Sequence, residues 1–149
     1  MTIVPRGASE DQVLDLVRAW VDVLARQDYD AVAAELGYAL AFGKPQGECI
    51  RQAIESYRCP VYYPKVEKFV VTDWRAAQGG NPHKKQEVVW YKPNASGLIG
   101  AVAFDLPLNG RWSTLTADFV FCEGSNPSAG YPLGLEEIQS NQAGAQSAA

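Results

Sequence analysis

Histidine is nearly missing from this chain: His83 is the only one among 149 residues. The thiols are few as well, and Cys49, Cys59 and Cys122 lie far apart. Neither a Cys/His metal set nor a Ser-His-Asp or Cys-His arrangement is present at a recognisable spacing. Three sparse cysteines read as buried free thiols rather than a disulfide framework. His83 sits in Asn81-Pro82-His83-Lys84-Lys85 and reads as a surface residue. No helix signature follows Gly79-Gly80, so it makes no phosphate loop, and Lys84-Lys85 is too small a basic patch to imply nucleic-acid contact. A net charge of -4 likewise gives no attraction to a polyanion. No apolar run approaches the roughly 18 residues of a membrane span, and Met1 to Arg6 lacks the basic-then-apolar pattern of a secretion signal. The expectation is a cytoplasmic protein with no cofactor, no metal, no nucleic acid and no membrane partner.

What the chain does have is apolar content, 47% of residues, enough for one domain with a true core. Its organising stretch is Gly97 to Glu123, where Asn109-Gly110 is suited to the positive φ values of a two-residue hairpin turn. A turn there sets Leu108 opposite Arg111, Leu106 opposite Ser113, Phe104 opposite Leu115, Val102 opposite Ala117 and Gly100 opposite Phe119. One face then carries Leu98, Val102, Phe104, Leu106, Leu115, Phe119 and Phe121 and must be buried. The other carries Ile99, Ala101, Ala103, Asp105, Trp112, Thr114, Thr116, Asp118 and Val120, suiting a partly solvated surface or a subunit contact.

Residues 1–8 read as a loose lead-in, 9–138 as a single α+β domain and 139–149 as a disordered tail. Ser9 and Gln12 form a capping box, and apolar residues from Val13 to Leu24 recur at helical spacing. Asp28 or Asp30 caps a short second helix that ends at Leu36, with Gly37 as its stop. Tyr38 to Phe42 is either a small edge strand or a turn of helix. Cys49, Ile50, Ala53, Ile54 and Tyr57 mark a third helix. Strands are expected at Val66–Trp74 and Glu87–Lys92, with an exposed loop from Arg75 to Lys85 between them. A last short strand, Tyr131–Ile138, is expected at a sheet edge with Pro132 on its free side.

Three helices followed by a bent antiparallel sheet, with Ala25-Arg26-Gln27-Asp28-Tyr29-Asp30-Ala31 joining the first two, resemble the nuclear-transport-factor-like, or SnoaL-like, cone fold of cystatin-like architecture. Ketosteroid isomerases and polyketide cyclases share that fold. A second resemblance, to a small uncharacterised bacterial domain, lies in Leu106-Pro107-Leu108, Gly110-Arg111, Ser113-Thr114-Leu115-Thr116 and Leu135-Glu136-Glu137-Ile138. Here Thr114 replaces that family's Asp and Gln139 its His. The cone resemblance implies a pocket at the open end of the concave face, with Trp20, Tyr38, Tyr57 and Phe104 as lining residues.

Isomerase chemistry needs a tyrosine beside a protonated carboxylic acid, and the first helix offers Trp20 where the cone family places a tyrosine. Asp105 and Asp118 share a face but lie about 13 Å apart at about 3.3 Å per residue, beyond the roughly 5 to 9.5 Å of working carboxylate pairs. No catalytic residue is assigned. Trp112, Thr114, Thr116 and Val120 are the expected interface of a homodimer. The resulting expectation is a ligand- or partner-binding module for an apolar small molecule or a protein. The alternatives are a cofactor-free isomerase- or cyclase-like enzyme and a bacterial immunity-type protein that blocks a toxin.

Overall fold

Ser9 starts the first helix by filling both halves of its capping box. Its hydroxyl accepts from the Gln12 amide at 3.2 Å, and the Gln12 side chain accepts from the Ser9 amide at 2.8 Å. In the computed structural model, which describes residues 2–35, 46–124 and 130–140, α1 spans Glu10–Ala25. Asp28 caps α2 (Tyr29–Glu35) by accepting from the Ala31 amide at 3.2 Å, and α3 spans Gln46–Glu55. The expected stop at Leu36-Gly37, the segment Tyr38–Phe42 and most of the expected tail lie outside the described residues.

The strands are β1 (Ile3–Val4), β2 (Gln86–Trp90), β3 (Leu98–Leu108), β4 (Arg111–Cys122) and β5 (Tyr131–Ser140). They form an antiparallel sheet in the order β1-β5-β4-β3-β2. The described architecture is α+β, with three helices packed on a strongly curled half-barrel of five strands. The core joins Val13, Val17, Trp20, Val21 and Leu24 of α1 to Val102, Phe104, Phe119 and Phe121 of the hairpin. Trp20 meets Phe119 edge-on with ring centroids 5.2 Å apart. Each such large side chain contributes about 1.5–3 kcal/mol by burial.

The hairpin turns at Asn109-Gly110 as expected, with φ values of 50° and 81°. Its register holds only as far as Pro107↔Trp112. Leu106 then faces Ser113, Thr114 and Leu115 together, and pairing resumes at Asp105↔Thr116. Side chains hold this bulge open: the Ser113 hydroxyl donates to the Leu106 carbonyl at 2.6 Å and accepts from the Leu115 amide at 3.0 Å. The Thr114 amide donates to the Tyr57 hydroxyl at 3.0 Å. Phe104 therefore faces Ala117, Val102 faces Phe119 and Gly100 faces Phe121. A slip of two residues keeps every side chain on its face, so Phe104 and Phe119 still point into the same core.

A second bulge sits in β5, where Asp118↔Glu137 is followed by Phe119↔Leu135 and Glu136 is left over. This extra residue lets Leu133, Leu135 and Ile138 all reach the core although their spacing breaks simple alternation. Such bulges bend the strands and support the curl of the sheet.

Five expectations need correction. Val66–Trp74 is not a strand; it makes one isolated bridge, Val71↔Leu108, and wraps the hairpin turn. Asn109 captures it, accepting from the Val70 amide at 3.0 Å and donating to the Lys68 carbonyl at 3.0 Å. The loop from Arg75 to Lys85 is not wholly exposed, because Asn81 is buried against the hairpin. The lead-in is not loose: β1 pairs with β5, and Val4 is fully buried. That pairing places β5 inside the sheet, so Pro132 faces Ile3 rather than a free side; its missing donor falls where the ladder to β4, which begins at Phe121↔Leu133, has ended. Strand β5 also carries Gln139 and Ser140, which the expected tail had included.

Candidate functional site

Of the expected pocket-lining residues, Trp20, Tyr57 and Phe104 are packed into the core, and Tyr38 lies outside the described residues. The Trp20 indole donates to the Val32 carbonyl at 3.3 Å. Tyr57, Tyr63 and Phe69 form an edge-to-face cluster with centroids 5.0 to 5.8 Å apart. The Tyr57 hydroxyl lies 2.8 Å from the Thr114 hydroxyl, and the Tyr63 hydroxyl reaches the carbonyls of Leu108 at 3.0 Å and Arg111 at 2.9 Å. Burial pushes both phenols well above their ordinary pKa, so both stay protonated. These bonds hold the bulge and the hairpin turn.

The buried carboxyl group is Asp105, only 2% exposed. Its Oδ2 accepts from Asn81 Nδ2 at 3.1 Å and from the Lys85 amide at 2.8 Å, and its Oδ1 accepts from the Thr116 hydroxyl at 2.5 Å. Desolvation raises its pKa, opposed by the hydrogen bonds from Thr116 and the Lys85 amide and by the Lys85 charge; Asp118 adds a smaller upward push. Sequence reasoning missed Asn81, although Asn81-Pro82 is a turn signal: the Asn81 side chain accepts from the His83 amide at 2.9 Å while its amide group reaches under the sheet.

The register slip also moves Asp118 opposite Ala103, two residues from Asp105 rather than four. That is roughly 7 Å along the strand. Lys85, Thr116, Asp118, Gln139 and Ser140 line a cleft of about 270 Å³ on this side of the sheet. Asp105 has its oxygens filled from within the chain, and Asp118 accepts from Gln139 at 3.1 Å. The cleft therefore has an ordered polar floor rather than two open carboxylates.

The expected interface is mostly internal. Thr114 is held by Tyr57 and Thr116 by Asp105, while Trp112 packs on Phe104 with Lys84 5.0 Å from its ring centroid. All three are buried, and Val120 alone of the four keeps partial exposure. The slipped register and the loop from Arg75 to Lys85, bridged to Trp112 at Gly80, cover a face that a bare hairpin would leave open.

Exposed apolar side chains gather instead at β2. Val89, Trp90 and Tyr91 are 48%, 45% and 46% exposed, and β2 is one of the two outer strands of the described sheet. Trp90 stands over Gly100 and meets Phe121 edge-on at 5.3 Å, where a Cβ on Gly100 would lie 2.3 Å from the Phe121 ring and 2.7 Å from the Val89 carbonyl. The Tyr91 amide donates to the Ile99 carbonyl at 2.9 Å, and the Lys85 carbonyl accepts from the Asp105 amide at 2.9 Å. By the alternation of an antiparallel ladder, Lys85, Glu87, Val89 and Tyr91 bond toward β3, and Gln86, Val88 and Trp90 turn their backbone groups to the open side. No backbone bond from another described residue reaches those groups.

No described helix is long and apolar enough to cross a membrane, and the described residues hold no His, Cys, Asp and Glu cluster suited to a metal ion. Comparison with known proteins finds no matching family model, no matching curated protein and no matching solved structure.

Proposed function

We propose that this chain is a cytoplasmic partner-binding module of nuclear-transport-factor-like architecture, and that it recognises an extended protein strand through the edge of β2. The observation that carries the reading is the coincidence, on one strand and the residue after it, of outward backbone groups with the exposed Val89, Trp90 and Tyr91. Native edge strands are commonly shielded by charge, proline or a covering element, whereas the middle of this one is apolar. Strand addition takes affinity from main-chain bonds and specificity from alternate side chains, and β2 offers both.

The helical cover and the curled sheet support the architecture. The isomerase- or cyclase-like alternative has less support, because the buried phenols of Tyr57 and Tyr63 bond to Thr114 and to backbone carbonyls rather than to a carboxyl group. The bacterial immunity-type alternative, a protein that blocks a toxin, draws support from no described contact.

The test is amide hydrogen exchange at Gln86, Val88 and Trp90 in dilute protein, with and without a capped hexapeptide of alternating threonine and valine. These amides are expected to exchange freely alone and to gain protection with the peptide, and Val89→Lys is expected to abolish the gain. Full protection in the dilute chain alone would refute an open edge.

A further inference from the structure

Resting on the reading of β2 as a recognition edge, we infer that its occupant is a second copy of this chain, added antiparallel across a two-fold axis at Val89. The two sheets then become one continuous sheet of ten strands, twice the five of a single chain.

Symmetry limits the possible registers. A two-fold axis relating neighbouring antiparallel strands stands perpendicular to the sheet and keeps each residue on its own face, so the residue at the axis must meet its own copy. Within the apolar part of β2 that leaves Val88, Val89 or Trp90. An axis at Val88 sets Lys84 against the copy's Lys92 and the exposed Val89 against Glu87. An axis at Trp90 sets Val88 against Lys92. Only an axis at Val89 gives Val88, Val89 and Trp90 an apolar partner each: Val89 meets Val89 and Val88 meets Trp90, while Glu87 meets Tyr91 and Gln86 meets Lys92. Lys84 and Lys85 then face Asn94 and Pro93, so no lysine opposes another.

The backbone agrees with this choice. Val88 and Trp90 carry the outward N–H and C=O groups, and in this register they are the residues that exchange bonds across the axis. Trp90 and Val88 lie on the helix side of the sheet, opposite Gly100 and Val102, so each Trp90 extends the Phe121 contact of its own chain onto the copy's Val88. Val89 and Tyr91 lie on the far face beside Ala101 and Ile99, and their pairing continues that apolar surface across the axis. Three of the five large apolar side chains exposed in the described chain are covered together.

Cross-linking on the full chain, in a Cys49→Ser, Cys122→Ser background, tests the register. Val89 meets its copy at a non-hydrogen-bonded pair, where Cα atoms approach to about 4.5 Å, so Val89→Cys is expected to oxidise to a covalent dimer. Glu87→Cys and Tyr91→Cys are expected to link at least about tenfold less when each is alone, since their copies lie about 13 Å apart, and to link efficiently when mixed. Sedimentation velocity from about 5 to about 500 µM, the range of a weak one-strand interface, is expected to show a dimer that Val89→Lys converts to a folded monomer.

A monomer throughout that range, or a dimer that Val89→Lys leaves intact, overturns the proposal. Cross-linking in a mixture of Glu87→Cys with Val89→Cys would place the axis at Val88 and overturn the register. The threonine-valine hexapeptide separates the two levels: a monomeric chain whose edge amides it still protects retains strand recognition but loses the second copy as occupant. A monomer that the peptide leaves unprotected loses both.

Discussion

Replacing Asp105 separates the geometric role of its side chain from the role of its charge. Asp105→Ala removes the acceptor for Asn81 Nδ2, the Lys85 amide and the Thr116 hydroxyl, all beneath the sheet. An orphaned buried donor costs about 1–3 kcal/mol. The neighbouring cleft admits water to part of this cluster, so the low end applies and the total is about 3 kcal/mol. For a chain of this size that lowers Tm by roughly 6–12 °C.

Asp105→Asn behaves differently. Its carbonyl oxygen takes the place of Oδ2 and accepts from Asn81 and the Lys85 amide, while its amide group donates to the Thr116 hydroxyl, which turns to accept. The cost is at most about 1 kcal/mol. The sign of the pH effect follows from the raised pKa of Asp105, caused first by desolvation. In the window between its ordinary pKa of 3.8 and the raised folded value, the native state binds more protons than the unfolded one. Stability from this residue is therefore present at low pH and declines as pH rises through that window. The Tm of Asp105→Asn relative to the unsubstituted chain should rise across the same interval. Calorimetry of both variants at several pH values checks this. An Asn variant as unstable as the Ala variant, or one that loses ground as pH rises, would refute the reasoning.

Other perturbations read different parts of the fold. Tyr57→Phe removes the hydroxyl partner of Thr114 within the bulge and should cost about 1–3 kcal/mol in urea denaturation; as the phenol is protonated throughout, its loss should add no pH dependence near neutrality. Asn109→Gly keeps the left-handed turn but loses the bonds to Val70 and Lys68, for about 1–3 kcal/mol. Asn109→Ala adds about 1 kcal/mol of backbone strain, so the difference between the two variants measures the turn alone. Gly100→Ala drives a Cβ against Phe121 and the Val89 carbonyl. It should cost about 1–3 kcal/mol by overpacking and speed amide exchange in β2 more than in β5.

Local chemistry made much of this fold legible. The capping box, the turn and the apolar stripe of α1 depend on residues within one or two helical turns or one chain reversal, and all three stand where the sequence puts them. A register counted from the turn misplaces the far pairings of the hairpin because it assumes an unbroken ladder, and the Leu106 bulge depends on Tyr57, remote in sequence. Val66–Trp74 departs from its strand pattern for a related reason: its strand formers make a β-bridge to the hairpin only at Val71, and Asn109 holds the segment before it as a wrap. The candidate interface moved from Trp112, Thr114 and Thr116 to Val89, Trp90 and Tyr91 because the loop at Gly80 and Asn81 bridges Trp112, Tyr57 holds Thr114 and Asp105 holds Thr116.

By itself, then, the sequence determined the helices, the turn and the apolar face of the hairpin that meets the core, because periodicity and capping act over short distances. Tertiary structure alone decided which strand lies outermost, where the bulges fall and which polar groups are enclosed. Those outcomes depend on contacts between distant segments competing for the same backbone donors, and that competition leaves no local pattern to read.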